Sequence, residues 1–121
     1  MSREFRFRAW DKVAFKMDEY FIVYSDGRIY QDRGFDDDIY SLKNSSVNDR
    51  YQVMQFTGIY DCKENRIFEG DIIFVYERKW KVLYSEGCFI AKSGRQIKLL
   101  RTMYCEVIGN VFQQPKLIGG S

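Results

Sequence analysis

Glu69-Gly70-Asp71-Ile72-Ile73-Phe74-Val75-Tyr76 opens a stretch that decides the fold. It runs on through Glu77-Arg78-Lys79 to Trp80-Lys81-Val82-Leu83-Tyr84, then through Ser85-Glu86-Gly87 to Cys88-Phe89-Ile90-Ala91. Short runs of β-branched and aromatic residues alternate with polar turns, which is the pattern of a three-stranded meander. Gly70 breaks the chain ahead of the first strand, and Gly87 gives the second turn a residue that accepts positive φ cheaply. Ser93-Gly94 ends the third run.

The flanking sequence adds strands on both sides. Tyr104 to Phe112 reads as a closing strand interrupted by Gly109. Gln96 to Met103 is ambiguous: Ile97, Leu99 and Arg101 alternate as in a strand, while Ile97, Leu100 and Met103 would share a helix face. Upstream, Tyr51 to Phe56 is a strand ending at Thr57-Gly58, and Asp61 to Arg66 is a hairpin tip between Ile59-Tyr60 and Ile67-Phe68. Phe5, Phe7 and Ala9 alternate with Glu4, Arg6 and Arg8, which predicts one buried and one wet face. Tyr20–Tyr24 and Arg28–Tyr30 flank Ser25-Asp26-Gly27 as a hairpin. Asp32 to Arg50 is polar and turn-rich, and reads as a long excursion with one short helical turn near residues 38–42.

These elements predict a mainly β protein with little helix. A meander entered through Glu69-Gly70-Asp71-Ile72 and closed by a late strand is similar to SH3-like barrels, expected here over residues 67–112. A β-rich lobe over about residues 1–60 would pack on it, within one domain of 1–121 ending in a flexible tail at 116–121. The expected core is Phe5, Phe7, Ile72, Phe74, Trp80, Val82, Val107 and Val111. Gly70 and Gly109, where strands begin or bend, are expected to have positive φ or a close backbone neighbour.

Three motifs lie in order along the chain: Phe5-Arg6-Phe7-Arg8-Ala9-Trp10-Asp11; Met54-Gln55-Phe56-Thr57-Gly58 leading to Phe68-Glu69-Gly70-Asp71-Ile72; and Glu106-Val107-Ile108-Gly109-Asn110-Val111. In that order the set resembles the YopX family of small phage and prophage proteins over nearly the whole chain. The resemblance implies phage or prophage origin and one compact β-rich domain. It carries no catalytic residue over to this sequence. Asp32 to Arg50 matches none of the motifs.

Composition narrows the chemistry. The chain has 121 residues, a formal net charge of +2, 17% aromatic residues and no histidine. Without histidine there is no His general acid or base, no Ser-His or Cys-His nucleophile, and no ordinary zinc or iron set. Cys62, Cys88 and Cys105 are widely spaced with no Cys-x-x-Cys, which reads as reduced thiols. No apolar run approaches the ~18 residues of a membrane span, so a cytoplasmic location and no membrane partner are expected. Asp36, Asp37 and Asp38 are adjacent rather than alternate, so they read as a solvated acidic loop and not a calcium site. No cofactor or metal is expected.

Three functions fit the sequence. A non-enzymatic module that binds another protein or itself leads, because several strand edges and many aromatics suit strand addition or an aromatic interface. The alternative is a small nucleic-acid-binding barrel. Residues 1–50 hold nine Lys and Arg against ten Asp and Glu, while residues 51–121 hold ten against seven. No acid occurs from Lys92 to Arg101. Lys79, Lys81, Lys92, Arg95, Lys98 and Arg101 are therefore the candidate anion-binding residues. Trp80, between Lys79 and Lys81, is expected in the core rather than at the surface. The third reading is a carboxylate-dependent enzyme built on Glu69 and Asp71, which share a strand face. A structural reading explains them better: both sit at a strand entry, and Asp71 can accept backbone N–H bonds in the turn.

Overall fold

The structure is a computed structural model. It describes residues 4–19, 21–23, 29–31, 40–41, 51–100 and 104–118. The strands in chain order are β1 (Phe7–Asp11), β2 (Lys16–Asp18), β3 (Phe21–Val23), β4 (Ile29–Gln31), β5 (Tyr40–Ser41) and β6 (Tyr51–Tyr60). They continue as β7 (Arg66–Phe68), β8 (Asp71–Val75), β9 (Arg78–Ser85), β10 (Cys88–Ser93), β11 (Gln96–Leu99) and β12 (Glu106–Asn110). A 3-10 turn, Pro115–Leu117, follows. The protein is mainly β, as the alternation and turn residues predict. Among the described residues no helix is long and apolar enough to cross a membrane.

The chain divides into two compact units, residues 1–7 with 54–121 and residues 8–53. The first contains an open five-stranded sheet of order β11-β10-β9-β8-β12. The expected meander is its centre, and the late strand β12 pairs antiparallel with β8. The strand order is linear, with β11 and β12 at its two ends. Gln96–Leu99, left ambiguous by its periodicity, pairs with β10 as a strand. In the same unit the segment through Phe7 lies beside β6, where the Phe56 N–H donates to the Arg6 carbonyl at 2.8 Å. β6 pairs on its other side with β7. Glu4 forms an ion pair with Arg66, and that guanidinium holds the Glu4 carboxyl below its ordinary value.

β6 runs past Thr57-Gly58, where the sequence suggested it would stop. The register with β7 shifts between Phe56 and Tyr60, and Gly58 takes φ +88°. The strand survives as a bulge because Thr57 Oγ1 donates to the Ile67 carbonyl at 2.7 Å and accepts the Ile59 N–H at 3.2 Å. A glycine at positive φ costs little there.

One face of the five-stranded sheet carries the core: Ile67, Ile73, Val75, Trp80, Val82, Ala91, Leu100 and Cys105, with Ile59, Phe89 and Val107 packed against it. Trp80 is 2% exposed and its Nε1–H donates to the Val75 carbonyl at 3.1 Å, so the indole buries its area without orphaning its donor. Ile72 and Val82 are buried as expected, and Phe7, Val107 and Val111 are half-buried. Two expected core residues are not: Phe5 is 66% exposed and Phe74 43% exposed. All four residues after Asp71 in β8 are apolar, so alternation alone cannot choose the strand's inner face.

The 3-10 turn lies where the sequence suggested only a flexible tail. Leu117 comes so close to Gly109 that a Cβ there would stand 2.9 Å from Leu117 Cδ1 and 2.7 Å from Gln114 Oε1. Gly109 is therefore a close-approach glycine rather than a positive-φ one. Gly70 is both, with φ +84° and the Met54 Sδ and Phe112 ring against its bare face.

In the second unit β1 and β2 form a hairpin. Asp11 Oδ1 accepts the Val13 and Ala14 N–H groups at 3.0 Å each, closing the turn as an Asx motif. Arg8, Ala9, Trp10 and Asp11 are all buried, so β1 does not show the wet Arg8 face that alternation predicted. The expected hairpin of β3 and β4 is present, and β5 adds to it in the order β3-β4-β5. Tyr40–Ser41 is thus a strand where a helical turn was expected. Asp36, Asp37 and Asp38 lie outside the described residues.

Candidate functional site

Directly opposed residues in adjacent strands point to the same side of a sheet. Lys81 of β9 is opposed by Ile72 of β8 on one side and Lys92 of β10 on the other. Lys79, two residues before Lys81, is opposed by Phe74. Lys79, Lys81, Lys92 and Phe74 therefore share the face away from the core. There they line an open groove of about 460 Å³ with Arg78, and the 3-10 turn contributes Leu117 and Ile118. The groove has an apolar side (Phe74, Leu117, Ile118) and three lysines against one carboxylate, Glu77; Arg78 is opposed by Val75, and its guanidinium lies 6.0 Å from the Trp80 ring centroid on the core face. Lys79 and Lys92 are exposed, and Lys81 is half-buried.

Three of the six basic residues picked from sequence thus converge. Lys98 does not join them. It is opposed by Ala91 and so belongs to the other face, where its Nζ sits 4.6 Å from the Tyr76 ring centroid and 5.7 Å from that of Trp80. Arg95 is exposed in the turn after Ser93. Arg101 lies outside the described residues. Sequence reasoning left Phe74, Leu117 and Ile118 out of the site. A half-apolar tail after Pro115 was the available signal for the last two. Trp80 is buried, so no base could stack on it.

A protein-family model for YopX proteins matches residues 6–119. The chain belongs to the YopX family. No curated protein matches this YopX chain. Its fold is similar to the crystal structure of protein EF1440 from Enterococcus faecalis, with a TM-score of 0.66 and 24% identity. The alignment covers 97% of this chain and 99% of that one. At that identity the likeness carries the fold alone.

Two motif carboxylates of this YopX chain serve the backbone. Glu69 Oε1 accepts the Gln55 N–H at 2.9 Å while the Glu69 N–H donates to the Gln55 carbonyl. Asp71, 2% exposed, accepts the Phe68 N–H at 2.8 Å. Asp71 thus closes the turn at Gly70, and Glu69 ties that turn to β6. Among the described residues no three Cys, Asp or Glu side chains stand together as a metal set.

Asp61, expected only at a hairpin tip, accepts four hydrogen bonds. Its Oδ1 accepts the Lys63 and Asn65 N–H groups at 2.9 and 2.7 Å. Its Oδ2 accepts the Asn65 side-chain amide at 3.2 Å and the Val107 N–H at 3.0 Å. Burial works against the charge, yet the hydrogen bonds from Val107, Asn65 and Lys63 outweigh it and hold the carboxyl below its ordinary value. Beside it, burial pushes the Cys105 thiol up to about 11, with Asp61 and Cys62 adding to the shift.

Proposed function

We propose that this YopX chain is a non-enzymatic binding module whose working surface is the basic groove, and that its ligand is a single-stranded nucleic acid. One observation carries the reading: Lys81 and Lys92 are directly opposed across β9 and β10. Like charges at such positions destabilise a sheet. Here the pair sits with Lys79 beside an apolar wall, so the repulsion is relieved when a phosphate lies between the ammonium groups. A groove of cations with an exposed aromatic, Phe74, suits a strand whose bases are unpaired.

The test is binding of a short labelled oligonucleotide across a salt series. Affinity is expected to fall steeply from low to physiological salt as counterions are released. Lys81→Gln with Lys92→Gln should lower the log–log salt slope by about 1.4 if each lysine contacts one phosphate of a single strand. The same variant should melt at or above the wild-type temperature, because the like-charge pair is gone. Equal slopes for variant and wild type would retire the groove.

A second reading, protein binding by strand addition, is favoured by β11. Among the described residues it ends the sheet order with one strand neighbour, β10, and Ile97 and Leu99 are 59% and 48% exposed. Such an edge can take another strand. With no acid between Lys92 and Leu100, an acid-rich segment would pair there more readily than a second copy of the same strand.

A further inference from the structure

Three two-residue turns join the strands of the five-stranded sheet, and two carry the glycine their geometry asks for. Between Ser85 and Cys88 the turn is Glu86-Gly87, with φ 50° and 83°. Between Ser93 and Gln96 it is Gly94-Arg95, with Gly94 at φ 59°. Between Val75 and Arg78 it is Tyr76-Glu77, with φ 54° and 57° and no glycine. Two successive positive φ values are the signature of the type I′ turn, for which Asn-Gly is the preferred pair. A bulky aromatic in that region is a true outlier, and such outliers concentrate where a side chain serves a function.

What the strained turn displays is consistent with that. Tyr76 is 68% exposed. Lys98 Nζ lies 4.6 Å from its ring centroid, close enough for a cation–π contact over the ring. Glu77, the next residue, lines the basic groove. The turn is therefore the place where the groove face and the Lys98 face meet. A strand with its phosphates on Lys79, Lys81 and Lys92 would reach the Tyr76 ring on leaving the groove past Glu77.

We infer that Tyr76 is a stacking platform for one base of the groove's ligand, backed by Lys98, and that the turn keeps tyrosine there at the expense of its own stability. This rests on the nucleic-acid reading above and deepens it. Phosphate contacts track the backbone, whereas the stacking residue responds to the presence of a base. It also gives Lys98 a role as support for the ring, although it lies off the groove face.

The experiment compares a labelled oligothymidylate with an abasic oligonucleotide of the same length, at low salt, against wild type, Tyr76→Asn and Tyr76→Phe. Wild type should prefer the base-bearing strand. Tyr76→Asn should bind that strand about ten-fold more weakly, lose the preference over the abasic strand and keep the wild-type salt slope. It should melt no lower than wild type, because Asn tolerates positive φ. Tyr76→Phe should restore the preference. If Tyr76→Asn binds as wild type does, or melts lower, the ring serves the fold and the inference is overturned. Equal wild-type binding of both strands overturns stacking and leaves the groove reading standing. Absence of any wild-type binding overturns both.

Discussion

Replacing Asp61 by Ala is expected to destabilise the protein by about 3 kcal/mol or more. The carboxylate accepts four hydrogen bonds, and each donor stranded away from water costs roughly 1–3 kcal/mol. The Val107 bond matters most, because it ties the hairpin tip after β6 to the start of β12. Asp61→Asn should be nearly as damaging. An amide keeps one acceptor oxygen and turns an NH₂ toward N–H donors, so one pair of bonds becomes a donor–donor clash. Urea denaturation of the three proteins checks this. The pH dependence has a definite sign. The folded Asp61 carboxyl titrates below its ordinary value of 3.8. Its contribution is thus full above that pH and lost as pH falls through the lower, folded value. The acid limb of the wild-type stability curve should flatten in Asp61→Ala. An unchanged limb would show that other carboxylates govern acid unfolding.

Gly70→Val should cost about 2–6 kcal/mol, from two sources. Holding a β-branched residue at φ +84° costs roughly 1–3 kcal/mol. The new Cβ would stand 3.1 Å from Met54 Sδ and 3.2 Å from Phe112 Cε2, and overpacking of this kind adds roughly 1–3 kcal/mol. The site has little room to yield. Gly70 N–H donates to the Val82 carbonyl and its own carbonyl accepts the Val111 N–H, both at 2.8 Å. Gly58→Val separates the two terms. Gly58 has nearly the same φ, +88°, but nothing within 4 Å of its missing Cβ. Thermal midpoints should therefore rank wild type above Gly58→Val above Gly70→Val. Equal losses in the two variants would mean that the Met54 and Phe112 contacts are soft.

The meander was legible because its runs and turns alternate cleanly, and Trp80 and Val82 were placed correctly for that reason. Phe74 was not, and the cause is tertiary. Ile72 and Ile73 are adjacent and both fully buried. β8 is covered on one face by the core, while on the other Leu117 of the 3-10 turn closes on Gly109, the residue opposed to Ile72. That cover leaves Phe74 in the groove wall. No local pattern announces a cover that comes from residues about forty positions away. The basic residues were legible as composition but not as a site. Lys81 and Lys92 become neighbours only through strand register. The two-residue turn at Gly94-Arg95 then sets Lys98 on the opposite face, and a shift of one residue in that turn would have reversed the result. The structural role of Asp61 was not legible because its partner Val107 is distant in sequence.

Cys105 is 1% exposed with its thiol pushed up to about 11, while Cys62 is exposed and Cys88 half-buried. Only the thiolate reacts readily with an alkylating reagent, and burial disfavours that form at Cys105. The three cysteines thus form a built-in clock. Cys62 and Cys88 should be labelled at once, and Cys105 only when the region beside the Asp61 tie opens. Its labelling rate, followed by mass spectrometry, would measure the frequency of that opening under native conditions. Asp61→Ala should make the clock run faster without speeding the two early labels.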